Sequence, residues 1–324
     1  MRTTTLGPFD NIGRLTLGGG GLGQLWGETD QAEAVATLRE AVESGGITLI
    51  DTAPSYRDCE AVVAAAFDGA LPQGVRITSK SYLGSPPRGE AGAKIAASLE
   101  ASLAAMKLDH LDLYFLHTNI CPDDYVYARH PERRDQFATT WSIYVDEVVP
   151  AMQAQVAQGR IGAWGITGTG IPATIHDALG HAPAPQVVQA VTNLLDSAGG
   201  MRSYAEPAAP RGIIAAAVKA GIGVMGIRAV QAGALTRGLD REIKSTHPES
   251  IDYARAEDFR ALCRELDADP AVIAHRYALA MTGVDTVVLG VKNRAELADC
   301  VAAEAAGPLE PELVARIDAL GLRS

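Results

Sequence analysis

The amino-acid sequence predicts an α/β protein folded as a closed (β/α)8 TIM barrel with extra helices and long loops at the C-terminal mouth. Short apolar, β-branched runs recur eight times, and a helical pattern separates each run from the next. Such an alternation indicates a parallel sheet covered on both faces. An open doubly wound sheet would also satisfy it. Eight units in 324 residues, without a linker or a change of composition, favour one barrel and a single domain over 1–324.

Each predicted strand is rich in Val, Ile, Leu or aromatic residues, and the helices between them are amphipathic. Thr29 and Asp30 are good helix caps ahead of QAEAVATLREAVE. A spare helix is predicted for DPAVIAHRYALAM from Asp269, and another after Pro311. In chain order the strands are LTL at 15–17, ITLIDTA at 47–53, VRITSK at 75–80, LDLYFLH at 111–117, IGAWGIT at 161–167, VVQAVTNLL at 187–195, GVMGIR at 223–228 and TVVLGV at 286–291.

Three longer segments interrupt the alternation of strands and helices, at 118–140, 196–210 and 229–253. Each follows a predicted strand, so in a barrel all three lie at the C-terminal mouth. The loops at that end build the active sites of such barrels. We therefore expect the functional residues there.

Composition excludes several classes of partner. The formal net charge is −11 and no segment gathers Lys or Arg, which argues against nucleic acid or an anionic membrane surface. No apolar run approaches the ~18 residues that span a bilayer, and the N-terminus lacks the apolar core of a signal peptide. The four cysteines are far apart and form no C-x-x-C pair. We expect a cytoplasmic protein with reduced thiols and no metal.

The stretch RLTLGGGGLGQLWG places Gly18, Gly20 and Gly23 at the spacing G-x-G-x-x-G, directly after the first predicted strand. A dinucleotide-binding loop needs the third glycine to begin a helix whose N-terminus meets the pyrophosphate. Here QLWGE separates Gly23 from the first helix signal at Thr29. We interpret the glycines instead as letting the backbone approach a ligand at a barrel mouth.

Four ionisable residues lie at or just beyond three consecutive predicted strands: Asp51, Tyr56, Lys80 and His117. Each alone has an ordinary structural explanation, such as a cap, rim packing, a solvated amine or a core histidine. Together they indicate proton transfer, because a buried lysine beside an aspartate and a tyrosine makes a phenol more acidic. An unperturbed tyrosine titrates near ~10, which is too high for efficient acid–base work at neutral pH.

The motifs LIDTAPSYRDCE, TSK and YFLH resemble the catalytic motifs of the aldo-keto reductases, which are NAD(P)H-dependent (β/α)8 barrels that reduce carbonyls or oxidise alcohols. The resemblance runs from LGGGGLG to LGVKNRAELADC. It implies that Tyr56 is the general acid that protonates the carbonyl oxygen. It also implies that Lys80, paired with Asp51, lowers the pKa of the phenol, and that His117 orients the carbonyl or relays the proton.

The resemblance also implies a cofactor site. The family usually ends its fifth strand with Ser-Asn, where this chain has Thr167 and Gly168, and an aromatic that stacks on the nicotinamide is replaced by Ile227. Asn193 lies near the nicotinamide in the same pattern. The implied cofactor residues are Gly20, Gly21, Leu22, Asp51, Thr167, Gly168, Gln189, Ile227, Arg228, Gly290, Lys292, Asn293, Glu296, Asp299 and Cys300.

The choice between NADP and NAD depends on the segment from Leu289 to Cys300. Lys292, Asn293 and Arg294 suit the 2′-phosphate of NADP, which we predict as the cofactor. Glu296 opposes a phosphate, and the Glu-Asn pair that holds adenine in the family becomes Asp299 and Cys300. NAD is therefore the alternative. The GITG sequence is similar to that of a plant sugar dehydrogenase of the family that uses NAD.

The sequence thus predicts an NAD(P)H-dependent reductase of small aldehydes and ketones. One alternative is an NAD-dependent dehydrogenase of an aldose or galactose-type sugar; another is a cofactor-binding subunit that senses redox state without turnover. The partner is a small carbonyl or sugar molecule, and nothing in the sequence predicts the oligomeric state. Arg129, Arg133 and Arg134 suit an acidic substrate. The residues expected to line the substrate pocket are Trp26, Tyr82, Tyr125, Tyr127 and Trp141.

Overall fold

Eight parallel strands close into a barrel in the computed structural model, which describes residues 1–25 and 27–324. Going round the barrel, the strands follow chain order, and the last pairs with the first. All eight predicted strands are present, so the predicted TIM barrel is confirmed. Among the described residues the strands are β1 (Thr3–Leu6), β2 (Phe9–Gly13), β3 (Leu15–Gly18), β4 (Leu49–Asp51), β5 (Arg76–Ser81), β6 (Leu111–Leu116), β7 (Asn119–Cys121), β8 (Ala138–Thr140), β9 (Ile161–Thr167), β10 (Val187–Val191), β11 (Gly223–Ile227) and β12 (Thr286–Leu289).

The barrel strands are β3, β4, β5, β6, β9, β10, β11 and β12. Side chains alternate between the interior and the helical layer, as the pleat of a strand requires. In β6, Leu113 and Phe115 pack inside the barrel, whereas Tyr114 and Leu116 join the large core under the helices. By the same alternation, Asp51 of β4, Lys80 of β5 and Gln189 of β10 face the interior.

An N-terminal hairpin closes the far end of the barrel, and the sequence reasoning did not predict it. Strands β1 and β2 pair antiparallel, with Leu6 opposite Phe9. Leu6 and Ile12 are fully buried in the same cluster as interior residues of the barrel strands. A Cβ at Gly7, which has φ of +55°, would come within 2.6 Å of the Gln186 carbonyl oxygen. The hairpin therefore fits tightly against the entrance of β10.

Helices surround the barrel and bury its outer face in one continuous apolar core. The Asp30 side chain caps α2 by accepting from the Glu33 amide, as expected of a good N-cap. The α-helices among the described residues are α1 (Gly19–Leu22), α2 (Gln31–Glu43), α3 (Cys59–Phe67), α4 (Ala91–Met106), α5 (Arg134–Phe137), α6 (Trp141–Ile143), α7 (Val149–Ala157), α8 (Pro172–Gly180), α9 (Pro210–Lys219), α10 (Pro248–Arg255), α11 (Glu257–Glu265), α12 (Pro270–Ala280), α13 (Arg294–Ala305) and α14 (Pro311–Asp318). The chain also forms 3-10 turns at Pro54–Tyr56, Pro131–Arg133, Gly199–Met201 and Gln231–Gly233, and a π-helical turn at Tyr144–Val148.

The three long segments follow strands β6, β10 and β11, at the C-terminal mouth. The first contains β7 and β8, which pair parallel as a small separate sheet. It is tied to the segment after β10, because the Tyr125 hydroxyl donates to Glu206 and the Arg129 guanidinium donates to the Arg202 carbonyl. Within the described part of the chain, no helix is long and apolar enough to cross a membrane.

Candidate active site

The pleat of the barrel strands brings three of the four predicted catalytic residues to one place. Asp51 is the last residue of β4, Lys80 lies near the end of β5, and His117 follows β6. Each is two residues beyond a side chain that faces the barrel interior, so all three turn inward at the same end. Tyr56 arrives from the turn Pro54–Tyr56 that follows β4. The structure thus brings the four predicted catalytic residues together.

A fully buried ion pair forms the floor of this site. Lys80 Nζ donates to Asp51 Oδ2 at 2.7 Å and to the Thr52 carbonyl oxygen at 2.8 Å. Asp51 Oδ1 accepts from Thr78 Oγ1 at 2.7 Å and from Gln189 Nε2 at 2.8 Å. Burial disfavours the charge on Lys80, but Asp51 and Tyr56 together outweigh burial and hold the pKa of Lys80 above its usual value. The fully buried ammonium therefore stays charged.

Tyr56 stands over this pair. Lys80 Nζ lies 4.6 Å from the centre of the Tyr56 ring. Burial raises the pKa of Tyr56, and the Lys80 charge opposes this rise without cancelling it. The expected lowering of the phenol pKa is therefore not found. The physical reason is that desolvation is the largest contribution and outweighs the lowering by Lys80, which the Asp51 charge further opposes.

His117 completes the group from the side. Its ring meets the rings of Tyr56 and Tyr82 edge-on, with centroids 5.8 Å apart in each case. Ser55 Oγ lies 3.5 Å from His117 Nδ1. Burial, assisted by the nearby Lys80 charge, lowers the pKa of His117 to about 3. The imidazole is therefore neutral at physiological pH and donates one ring N–H.

A polar pair at the ends of β9 and β10 faces the same cavity. Thr167 and Gln189 lie opposite each other in the parallel register. Thr167 Oγ1 is buried and has no hydrogen-bond partner among the described residues. Such an orphaned hydroxyl is unfavourable unless a ligand satisfies it, and a nicotinamide carboxamide has both a donor and an acceptor. A Cβ at Gly168 would come within 2.7 Å of Val188 Cγ2, so a larger residue would not fit there without movement.

The glycines of the first loop serve the packing of backbone against backbone. Gly20, Gly21 and Leu22 are buried in the short helix α1. A Cβ at Gly21 would collide with the Val291 carbonyl oxygen, and one at Gly23 with that of Tyr56. We had interpreted these glycines as making room for a ligand. The structure shows that Gly21 and Gly23 make room for backbone segments of the same chain, at Val291 and at Tyr56.

Arg228, at the end of β11, is committed to an internal network. Its guanidinium donates to Glu249 Oε1 at 2.7 Å and to Gln231 Oε1 at 2.8 Å. The contact with the cofactor that the resemblance implies for Arg228 would require breaking this buried ion pair. Asn193 is likewise occupied, since its amide accepts from the Ser197 backbone and donates to it. Ile227, the last residue of β11, is partly buried and packs against Val191, Ala198 and Ala208.

The segment after β12 contains the predicted phosphate ligands. Asn293 caps α13 by accepting from the Glu296 amide at 2.9 Å, and Glu296 accepts from the Lys292 amide at 2.8 Å. Lys292 Nζ forms ion pairs with Asp240 at 2.8 Å and with Glu296 at 3.0 Å. Arg294 pairs with a carboxylate as well, that of Glu33 at 2.8 Å. Both predicted phosphate-binding cations therefore already have carboxylate partners.

At the end of the segment from Leu289 to Cys300, the side chain of Cys300 does not lie where a cofactor residue was expected. Gly290 and Asp299 are exposed, but Cys300 is buried between α12 and α13. The Cys300 thiol lies 3.7 Å from His275 Nε2. The expected adenine contact of Cys300 is not available in this orientation, because the helix turns that side chain toward its neighbour.

The predicted substrate residues separate into two groups. Tyr82 is 44% exposed beside His117, and Phe137, which the sequence reasoning missed, packs edge-on against it. Tyr125 and Tyr127 lie together in the mouth segment, but Tyr127 is buried and accepts a hydrogen bond from Asn119. Trp26 lies outside the described residues.

Trp141 is not brought to the site. It packs on Tyr144 and His181 in the outer layer, and His181 belongs to the connection that enters β10 from the opposite end of the barrel. Thr78, which holds Asp51, was also missed by the sequence reasoning. Residues two apart in a strand lie on the same face, so the position of Lys80 on the inner face indicates that Thr78 faces the interior as well.

Comparison with known proteins gives a consistent result. Residues 14–321 match the model of the aldo/keto reductase family. The methylglyoxal reductase YeaE of Escherichia coli K12 is 36% identical over 135 residues, which cover 41% of this chain and only 38% of that relative. L-galactose dehydrogenase of Arabidopsis thaliana is 22% identical over 309 residues, covering 90% of this chain and 84% of the plant protein.

Two solved structures share the fold over nearly the whole length. The holo form of aldo-keto reductase AKR11C1 from Bacillus halodurans superposes with a TM-score of 0.72 at 24% identity, covering 99% of this chain and 96% of its own. An aldo/keto reductase from Klebsiella pneumoniae, solved with NADP and acetate, gives 0.68 at 22% identity with the same coverage. The chain therefore belongs to the aldo/keto reductase family, whose members are NAD(P)-dependent oxidoreductases.

Proposed function

We propose that this chain, as one catalytic domain over 1–324, reduces small aldehydes or ketones to alcohols with NADP(H), and that Tyr56 is the general acid. The observation that carries the proposal is the buried ion pair beside Tyr56. Lys80 Nζ lies 2.7 Å from Asp51 Oδ2 and 4.6 Å from the centre of the Tyr56 ring. The relatives that reduce methylglyoxal or bind NADP support the same class of reaction.

When bound, the nicotinamide cofactor supplies the hydride that reduces the carbonyl carbon. The carbonyl oxygen gains negative charge in this step, and the Tyr56 hydroxyl donates its proton to it. The Lys80 ammonium, which is fully buried 4.6 Å from the centre of the Tyr56 ring, stabilises the phenolate that remains. Asp51 keeps Lys80 in position, and solvent returns the proton to Tyr56.

His117 contributes a hydrogen bond. With a pKa of about 3, its ring is neutral at pH 7, so it does not compete with Tyr56 as the acid. A neutral imidazole N–H next to the phenol can orient the carbonyl oxygen between the two donors. This division leaves proton donation to Tyr56 and alignment to His117.

The chain has groups suited to both ends of the cofactor. The unpartnered hydroxyl of Thr167 fits a carboxamide, and Gln189 lies beside it with its Nε2 donating to Asp51. The N-terminus of α13 carries the positive end of a helix dipole, which favours a phosphate. Lys292 and Arg294 lie at that N-terminus and would hold the 2′-phosphate of NADP by exchanging a carboxylate partner for it.

A specific observation favours the second candidate, an NAD-dependent sugar dehydrogenase. Lys292 is held by both Asp240 and Glu296, so a 2′-phosphate would meet two carboxylates at this point. NAD lacks that phosphate. The similarity to L-galactose dehydrogenase over 90% of this chain supports the same alternative. Separate titrations with NADPH and NADH, followed by tryptophan fluorescence, decide between the two cofactors.

Replacement of Tyr56 by phenylalanine tests the proposed reaction. Loss of a general acid lowers turnover by about 10²- to 10⁴-fold, and Tyr56→Phe should still bind NADPH because the aromatic ring is kept and only the hydroxyl is lost. Tyr144→Phe is the matched control, since the Tyr144 hydroxyl is buried outside the barrel and lacks a partner among the described residues. The control should keep both activity and binding.

The measurement is the steady-state rate with a panel of aldehydes, ketones and sugars, together with fluorescence titration of NADPH. Unchanged turnover in Tyr56→Phe would exclude the proposed mechanism. Tight NADPH binding without turnover of any substrate by the unmodified protein would favour the redox-sensing alternative.

A further inference from the structure

A continuous aromatic wall runs from the catalytic group to an arginine at the rim of the mouth. The Tyr82 ring meets His117 edge-on at 5.8 Å, and the Phe137 ring meets Tyr82 edge-on at 6.2 Å. The Arg133 guanidinium carbon lies 4.3 Å from the centre of the Phe137 ring. A molecule that places its carbonyl at His117 and extends outward along this wall therefore reaches Arg133.

The charge of Arg133 is available at the rim. Its one hydrogen bond to a side chain is long, from Nε to Gln136 Oε1 at 3.4 Å, and in 1–25 and 27–324 no carboxylate lies within ion-pair distance of it. The next residue, Arg134, differs, because its guanidinium pairs with Asp135 at 2.6 Å. An exposed guanidinium stacked on an aromatic ring is held in place with its donors open to solvent.

Arg133 also acts on the wall itself. Burial raises the pKa of Tyr82 to about 12, and the Arg133 charge opposes that rise. The guanidinium is therefore close enough to the Tyr82 phenol for its field to be felt along the path that leads to His117. Tyr82, Phe137 and Arg133 form one surface, with the aromatic rings in the middle and the guanidinium charge at the outer end.

We propose that Arg133 binds an anionic group at the far end of the substrate, so that the preferred substrates are aldehydes or ketones that also carry a carboxylate or a phosphate. This rests on the proposed carbonyl reduction and names its substrate class. The edges of Tyr82 and Phe137 contact the apolar middle of such a molecule, and the planar guanidinium takes the anion through two parallel donors. Arg133 thus determines specificity and takes no part in proton transfer.

Two matched pairs of substrates test this inference. 4-Formylbenzoate and its methyl ester differ by one charge at nearly equal length, and glyceraldehyde 3-phosphate and glyceraldehyde differ by a phosphate. Kinetics with NADPH are measured for the unmodified protein, Arg133→Gln, Arg133→Lys and Arg88→Gln. Arg88 is an equally exposed arginine whose charge is already paired with Asp146 at 2.7 Å, so it controls for the lost charge.

Arg133→Gln should raise KM about tenfold for the anionic member of a pair, with kcat unchanged and with the neutral member affected less than about twofold. Arg133→Lys should recover part of the loss, and Arg88→Gln should resemble the unmodified protein. The pair that responds identifies the anion as carboxylate or phosphate. Equal effects on the charged and neutral members of both pairs would overturn the inference while leaving the proposed reduction intact.

Binding separates the two proposals. Calorimetric titration of the protein loaded with NADP⁺ uses 4-formylbenzoate and glyceraldehyde 3-phosphate as probes, since neither is reduced by the oxidised cofactor. Weaker binding of a probe to Arg133→Gln than to Arg88→Gln supports the anion site even if no aldehyde is turned over, in which case the proposed reduction alone fails. Equal binding of both probes to the two variants overturns the anion site.

Discussion

Replacement of Lys80 by methionine separates what the catalytic ion pair does for the fold from what it does for the reaction. Lys80 is fully buried and donates to Asp51 and to the Thr52 carbonyl. Methionine fills a similar volume without a charge. The carboxylate of Asp51 then remains buried, with Thr78 and Gln189 as its donors.

The size of the effect follows from these contacts. Removal of one partner from a buried ion pair costs about 3–5 kcal/mol, because the other charge is left without compensation. Two neutral donors still reach Asp51 Oδ1, so we expect about 3 kcal/mol for Lys80→Met, at the lower end of that range. Asp51→Asn in the same chain removes the charge but keeps Oδ1 for Thr78 and Gln189. The double variant should therefore recover at least about half of the loss.

Denaturant unfolding gives the free energy of each variant, and the steady-state rate gives its activity. Both variants should be nearly inactive, because each lacks the ammonium that stabilises the Tyr56 phenolate. Stability and activity are thereby uncoupled in the double variant. The reasoning is refuted if Lys80→Met unfolds with the same free energy as the unmodified protein, or if adding Asp51→Asn lowers stability further.

Two more predictions concern pH and the cofactor. Because the pKa of His117 is lowered to about 3 and that of Tyr56 is raised, kcat/KM for reduction should stay flat between about pH 5.5 and 9; an inflection near the ordinary histidine pKa of about 6.5 would contradict this. Asp240→Asn removes one of the two carboxylates that hold Lys292, so fluorescence titration should show about three- to tenfold tighter NADPH binding with little change for NADH. Equal shifts for both cofactors would show that Lys292 does not contact the 2′-phosphate.

The barrel and the grouping of Asp51, Tyr56, Lys80 and His117 could be predicted because both follow from local patterns. A strand buried on both faces is apolar throughout, so a polar residue at its end, such as Asp51 or Lys80, stands out. The N-terminal hairpin has no such pattern. Leu6, Ile12 and the partly buried Phe9 pack it against the core, and so few apolar residues around a turn do not distinguish a hairpin that closes a barrel from an exposed loop.

The partners of the cations could not be predicted, because they come from distant parts of the chain. The sequence shows Lys292 beside Glu296 but not Asp240, which arrives from the segment after β11. Arg294 meets Glu33, 261 positions away. A basic residue near a helix start therefore indicates where a phosphate can bind. Whether its charge is available depends on which carboxylates the fold places beside it.

The same compensation of charge bears on the direction of the reaction. A phenol that had lost its proton at pH 7 would serve oxidation of an alcohol, which needs a base. Burial is the largest cause of the raised pKa of Tyr56, and the Asp51 charge adds to it against the Lys80 charge, so the phenol keeps its proton at pH 7. The protonated phenol is the form that reduction consumes. Because a raised pKa alone makes Tyr56 a weaker acid, the proposed proton donation depends on Lys80 stabilising the phenolate as it forms.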